Sequence, residues 1–227
     1  MVDTVPPGIE YQLVLSTVLN GVPERYAAPV PEPTSLRHRK QQRAREQIVA
    51  AAFELFAERG FAEVTVADIA ERAEVGRTTF FRYFGDKQEV VFSHEEELIS
   101  GLLDRHRDLP PPTDLADAVA QLHPVVVAIC EEMTADPAHY RQHEALLRDN
   151  PELRDRAARK SDRVVEALRT DLLTRGTPPP VAELASQIAL ACYRAGHRAA
   201  GDDPSALPAA VHTAFTHLRA LTHPPHP

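Results

Sequence analysis

Apolar positions from about residue 37 to 222 recur with the period of a helix, not the alternation of a strand. The first stretch, 37–59, places Ile48, Ala51, Ala52, Leu55 and Phe56 at i, i+3, i+4, i+7 and i+8, one face of an amphipathic helix, and Gly60 ends it. Short helices are predicted over 66–73 and 77–84, and a longer one from Asp86 to about 107. Pro110, Pro111 and Pro112 break the chain before a helix over 113–135 carrying Val119, Leu122, Val126, Ile129 and Met133. Helices over 137–149 and 151–175 meet at Asn150 and Pro151, and the second carries Leu153, Val164, Val165, Leu168 and Leu172. Gly176 and the prolines at 178–180 lead into helices over 181–200 and 205–222. The last reads Leu207, Val211, Ala214, Phe215, Leu218, Leu221 as a single stripe. The pattern therefore predicts an all-α chain of about nine helices.

Outside these limits the pattern lapses. Residues 1–35 are proline-rich and hold no sustained period, so they read as a disordered leader, with at most a short helix over 11–20. Residues 223–227 read as a frayed tail. The apolar run Tyr11–Leu19 follows Asp3 and Glu10, where a secretory signal would be basic, and no run is long enough to span a bilayer. A cytoplasmic protein is expected. Two distant cysteines, Cys130 and Cys192, give neither a disulfide framework nor a zinc knuckle.

The net charge of −8 argues at first against a nucleic-acid partner, but its distribution reverses that reading. Residues 1–35 carry −3, residues 36–92 carry +1, and residues 93–227 carry −6. Arg37, Arg39, Lys40, Arg43 and Arg45 fall in one acid-free stretch. A basic arm ahead of an acidic body suits a protein that touches DNA with one end.

The two short helices frame a tight turn, Thr65 to Phe84, which is the layout of a helix-turn-helix. Thr65 is placed to cap the first helix, with Asp68 three residues on. Ile69, Ala70, Val75, Phe80 and Phe84 can share a small core with Phe53, Phe56, Phe61 and Val64, which would fix the angle between the helices. The second helix then opens on Arg77, Thr78 and Thr79. An arginine can bond guanine bidentately, and a threonine offers a hydroxyl and a methyl. Phe81, Arg82 and Tyr83 follow, and Lys87 heads the next helix, where its ammonium can lie beside a phosphate. With Arg39, Lys40, Arg43 and Thr65 these are the candidate DNA contacts. Arg59 and Arg72 read as a solvated face.

Residues 43–92, from Arg-Ala-Arg-Glu-Gln-Ile-Val-Ala-Ala-Ala-Phe-Glu-Leu-Phe-Ala-Glu-Arg-Gly-Phe to Phe-Phe-Arg-Tyr-Phe-Gly-Asp-Lys-Gln-Glu-Val-Val-Phe, resemble the DNA-binding domain of the tetracycline-repressor (TetR) family. Beyond residue 92 the resemblance rests on helix count and length. It implies a three-helix DNA-binding domain over 36–92, then a helical ligand-binding and dimerisation domain over 93–222. It also implies a homodimer that represses from a palindromic operator and is released by a small-molecule effector. Three positions depart from the family pattern. Glu74 stands where the turn usually has Gly, Gly76 where Ser or Thr usually caps the reading helix, and Phe81 where Tyr is common. An activator or ligand-independent regulator, and a helical interaction module without DNA binding, remain the alternatives.

For the dimer interface the last two helices offer Leu184, Ile188, Cys192, Val211, Phe215 and Leu218, with small residues between that permit close approach. For the effector pocket, His123, Val126, Tyr140, His143 and Leu147 place polar groups beside apolar faces. His139 and His143 have metal-ligand spacing but lack a third ligand in register, so no metal or other cofactor is expected, and His139 is read as exposed. No nucleophile–base pair, phosphate loop or HExxH motif is present, so the chain is not read as an enzyme and no membrane partner is expected.

Overall fold

A computed structural model of the chain describes residues 36–93, 95–104 and 109–222. Among these the backbone forms ten helices and no strand: α1 (Leu36–Arg59), α2 (Val66–Arg72), α3 (Arg77–Tyr83), α4 (Lys87–Val91), α5 (Glu95–Asp104), α6 (Leu115–Met133), α7 (Pro137–Asp149), α8 (Pro151–Thr174), α9 (Pro179–Ala200) and α10 (Leu207–Thr222). Contacts divide the chain between Arg43 and Ala44, and the first unit contributes only the opening turns of α1 to the described residues. The expected leader, its short helix over 11–20 and the tail over 223–227 lie outside the described residues. No described helix is long and apolar enough to cross a membrane.

Short side chains set several helix starts. Thr65 and Asp68 form a reciprocal capping box on α2, and Asp86, Asp114 and Asp136 each accept from amides at the head of α4, α6 and α7. The tenth helix is a difference from the sequence pattern, which runs one helix from Asp86 to 107. That helix stops at Val91: Phe92 leaves helical geometry, and the amides of Phe92 and Ser93 reach back only three residues, to Glu89 and Val90. No glycine or proline marks the break. Tertiary contacts hold it instead, because Phe92 is buried with its ring edge-on to His143, and the Ser93 carbonyl accepts from the Arg45 guanidinium.

Two apolar cores follow from the helical stripes. The first gathers Ile48, Phe53, Phe56, Phe61, Val64, Ile69, Phe80 and Phe84 around the helix-turn-helix, with Val75 at its edge. Burying each of its largest side chains is worth about 1.5–3 kcal/mol. It is not closed by its own segment, because Leu146 of α7 and Leu153 of α8 complete it. The second core lies among α5, α6, α8, α9 and α10, around Leu122, Leu168, Leu172, Ala189, Val211 and Phe215. There α9 and α10 approach so closely at Gly196 that a Cβ added to it would sit 2.5 Å from Val211 Cγ2 and 2.6 Å from the Val211 backbone.

Candidate functional site

The reading helix α3 is anchored by Phe80 and exposes Arg77, Thr78, Phe81 and Arg82. Phe80 has no exposed surface, and its ring lies 5.7 Å from that of Phe84. That anchor turns Arg77 and Thr78 outward, with Thr79 half-buried beside them. Phe81 is 56% exposed, so an apolar ring stands on the outer face. It lacks the hydroxyl for a phosphate but can meet a thymine methyl. Arg82 stacks over Tyr83, its guanidinium 5.0 Å from the ring centre, and donates to the Tyr83 hydroxyl at 3.4 Å. The turn before α3 is strained at Glu74, the position where the family usually has Gly. Glu74 has φ +54°, the one non-glycine among the described residues in the left-handed region, at a cost of about 1–2 kcal/mol. Gly76 occupies the N-cap with no side-chain cap bond.

Two candidate contacts are already committed elsewhere. Lys87 does not hold its ammonium out toward a phosphate. Its Nζ donates to the carbonyls of Phe61 (2.7 Å), Ala62 (3.2 Å) and Val64 (2.9 Å), and it sits 4.5 Å from the centre of the Phe61 ring. An ammonium has three protons, and all three are used to tie α4 to the α1–α2 loop. The Thr65 hydroxyl accepts from the Asp68 amide and donates to the Asp68 carboxylate, which makes it a cap. Arg59 pairs with Asp68, and Arg72 with Glu54 and Glu58, so both brace α2 against α1. Arg39, Lys40 and Arg43 are exposed on the opening turns of α1.

A cavity of about 340 Å³ opens among the later helices, walled by Ile99, Val126, Ile129, Val165, Leu168 and Ala189. Of the expected pocket residues, Val126, His143 and Leu147 line it. Tyr140 lines a neighbouring hollow with Glu46, Glu132, Asp136 and His139. His123 lines neither: its ring stacks on Phe215 at 4.5 Å, and its Nε2 is buried without a partner. An i, i+4 spacing cannot tell an inward face from a cavity face, and Phe215 claims this histidine. His139 is half-buried rather than exposed, its ring 4.2 Å from that of Phe53. No group of three metal-ligating side chains occurs among the described residues. Cys130 and Cys192 are both buried, and burial pushes the Cys130 thiol up to about 12, so it stays protonated and unreactive.

The polar side of the cavity was not foreseen. Glu144 lies between His143 (3.4 Å) and His197 (3.2 Å). Burial works against its charge, but the hydrogen bonds from the two imidazoles outweigh it and bring Glu144 down to about 2. The bond to Glu144 in turn raises His197. Lys160, only 6% exposed, lines the same space and donates to Glu89 of α4 at 3.1 Å. Arg156, one turn earlier on α8, bonds Asp86 at 2.9 Å and also clasps Glu89. Glu89 stays ionised against its burial because Lys160 and Arg156 both donate to it. The only sequence sign of this clamp is the i, i+4 spacing of Arg156 and Lys160.

Residues 48–93 match the family model described as bacterial regulatory proteins, tetR family. Residues 48–93 are thus a TetR-type helix-turn-helix domain. It is 44% identical over 63 residues to the HTH-type transcriptional regulator TcmR of Streptomyces glaucescens, a stretch covering 28% of each protein. It is 28% identical over 156 residues to the HTH-type transcriptional regulator HbdR of Aromatoleum sp. strain CIB, covering 66% of this chain and 64% of that one. The chain thus spans less than two thirds of the length of either regulator. In fold it resembles a putative TetR-family transcriptional regulator from Syntrophomonas wolfei, with a TM-score of 0.55 at 17% identity over 79% of this chain and 95% of that one.

The residues expected at a dimer interface separate into two groups. Val211 and Phe215 have no exposed surface, being taken up by the chain's own core, so they have nothing left to offer a partner, and Cys192 keeps only 7%. Close packing at Gly196 explains this, because it draws the α10 stripe inward onto α9. Leu184 is 49% exposed, Leu221 is 81% exposed, and Ile188 and Leu218 are half-buried.

Proposed function

We propose that this protein is a homodimeric transcriptional repressor that binds a palindromic operator through α3 and leaves it when a small molecule fills the cavity lined by Val126, His143 and Leu147. The observation that carries the reading is the outward pair Arg77 and Thr78, with the half-buried Thr79 and Tyr83 beside them, on a helix fixed from beneath by Phe80. Such a helix fits the major groove, where its first turn meets base edges. Arg39, Lys40 and Arg43 add phosphate contacts that set affinity without sequence preference. A palindrome needs two copies of α3, and the exposed Leu184 with Ile188, Leu218 and Leu221 is the face we assign to the second chain. A cavity of this volume with apolar walls and few polar groups suits a drug-sized effector. The protein acts in the cytoplasm, as a binding protein and not as an enzyme.

A gel-shift with DNA from upstream of the protein's own gene tests the reading. Binding to a palindrome there, weakened by Arg77→Ala, is the expected result. Absence of binding at low salt to any palindrome in that region, with Arg77→Ala behaving as wild type, overturns it.

A further inference from the structure

We infer that the cavity takes an apolar anion, and that the acidic group of this ligand takes Lys160 away from Glu89. The inference rests on the reading of the cavity as an effector site and adds the chemical class of the effector and its first contact.

The charges around the cavity are unequal. Among the described residues its cationic lining is Lys160, Arg194 and Arg198, with His143 and His197 beside them, against one carboxylate, Glu144. That carboxylate is already bonded to both histidines, so it is not the counterion of a cationic ligand. Arg194 and Arg198 stand one turn apart on α9, both exposed and neither ion-paired among the described residues. The cations also share one end of the cavity. Helices α8 and α9 run in opposite directions from the turn at Gly176, and Lys160 lies about as far before that turn as Arg194 lies after it. The remaining walls are mostly apolar, from Ile99, Val126, Ile129, Val165 and Leu168 with the rings of Phe92 and Tyr193. A molecule with an apolar body and a single acidic head matches this distribution.

Lys160 gives the head a specific destination. Its side chain is 8% exposed, so its charge is kept in a poorly hydrated place by its partners. Glu89 is one of them, and it sits on α4, next to the helix-turn-helix. An anion entering the cavity competes with Glu89 for the same ammonium. Glu89 does not lose all support, because Arg156 continues to hold it. The α8–α4 clamp is then reduced from two cations to one, at the helix whose Lys87 ties down the α1–α2 loop.

The test uses the full chain without DNA, so its outcome is independent of whether an operator is bound or released. The probe is anilinonaphthalene sulfonate, and its neutral parent phenylnaphthylamine supplies the same rings without the acid. Fluorescence titration is expected to show one site per chain and a preference for the sulfonate of about ten-fold, the size of one charge-assisted hydrogen bond. Lys160→Met should remove most of that preference while leaving the neutral probe's affinity within about two-fold. Arg159→Met, an exposed cation on the same helix and outside the cavity, should change neither. Glu89→Gln removes the competitor, so it should tighten the sulfonate and not the neutral probe. Equal affinity of the two probes for the wild type overturns the inference. So does a preference that survives Lys160→Met, or a sulfonate affinity that Glu89→Gln leaves unchanged. Failure of the effector reading itself would appear elsewhere, as sulfonate binding that is Lys160-dependent but leaves operator affinity unchanged in the gel-shift.

Discussion

Replacing Gly196 by alanine is expected to destabilise the protein, although alanine is the better helix former. Near the C-terminal end of α9 the substitution alone would gain up to about 1 kcal/mol from propensity. The new Cβ, however, would lie 2.5 Å from Val211 Cγ2 and 2.6 Å from both the Val211 Cα and its amide nitrogen. Two of these three atoms are backbone, so no rotamer change at Val211 relieves the overlap. Reaching ordinary contact near 3.4 Å requires α10 to move by about 0.8 Å from α9. The seam that opens runs past Val211 and Phe215, neither of which has any exposed surface. Forced overpacking of this kind costs about 1–3 kcal/mol and occasionally more, and the backbone clash puts this site at the upper end. Net of propensity, the expected loss is about 1–2 kcal/mol. For a domain of this size that lowers Tm by roughly 2–8 °C. Thermal and urea unfolding followed by circular dichroism, at one fixed protein concentration, measures it. The urea slope should hold while the midpoint falls. A Gly196→Ala protein as stable as wild type, or more so, would refute the close-packing argument and with it the reason Val211 and Phe215 are withdrawn from the dimer face.

Lys87→Ala should lower stability by about 1.5–3 kcal/mol, because three carbonyls lose a charged donor. It should change the salt slope of DNA binding by less than about one unit, and a full unit would put the ammonium on a phosphate after all. Glu74→Gly should raise stability by up to about 1 kcal/mol in urea unfolding: it relieves a left-handed residue but adds freedom to the unfolded chain. The Glu144–His197 pair should give a pH-dependent increment, read as the Tm difference between wild type and Glu144→Gln. Glu144 lies below its ordinary value, so its contribution is present above about 4.5 and fades as pH falls toward about 2. His197 lies above its ordinary value, so its contribution is complete below about 6.5 and fades as pH rises through the raised value. The Tm difference should therefore be largest between about pH 4.5 and 6.5. A difference that is flat from pH 4 to 9 would show that the pair is not ionised as described.

What could be read from the sequence was local. Helix period, caps and the Thr65–Phe84 layout depend on neighbours within a few residues, and α1, α2, α3 and the capping box at Thr65 and Asp68 follow that reading closely. Glu74 was singled out only through the family resemblance, as standing where Gly is usual, and its φ of +54° shows the left-handed backbone that a Gly would favour there. What depended on distant partners was not. Lys87 heads its helix in any reading, but only the folded α1–α2 loop brings three carbonyls to its ammonium. The break at Phe92 has no glycine or proline to announce it, and is imposed by partners as far away as Arg45 and His143. His123, Val211 and Phe215 sit on stripes that a partner, a ligand or the chain's own core would each mark in the same way. Here α9, α10 and the rings themselves decide among them. The Lys160–Glu89 pair joins helices far apart in sequence, and nothing near either residue points to the other.

The measurement that bears most directly on a DNA-reading role for α3 is the specificity ratio. Fluorescence anisotropy would compare the upstream palindrome with a scrambled duplex of equal length, across a salt series, for wild type and Arg77→Ala. Expected is tight, salt-dependent binding that prefers the palindrome, with Arg77→Ala losing about 1–3 kcal/mol of that preference and little of its affinity for the scrambled duplex. Equal binding of both duplexes by the wild type, or a preference untouched by Arg77→Ala, would contradict it.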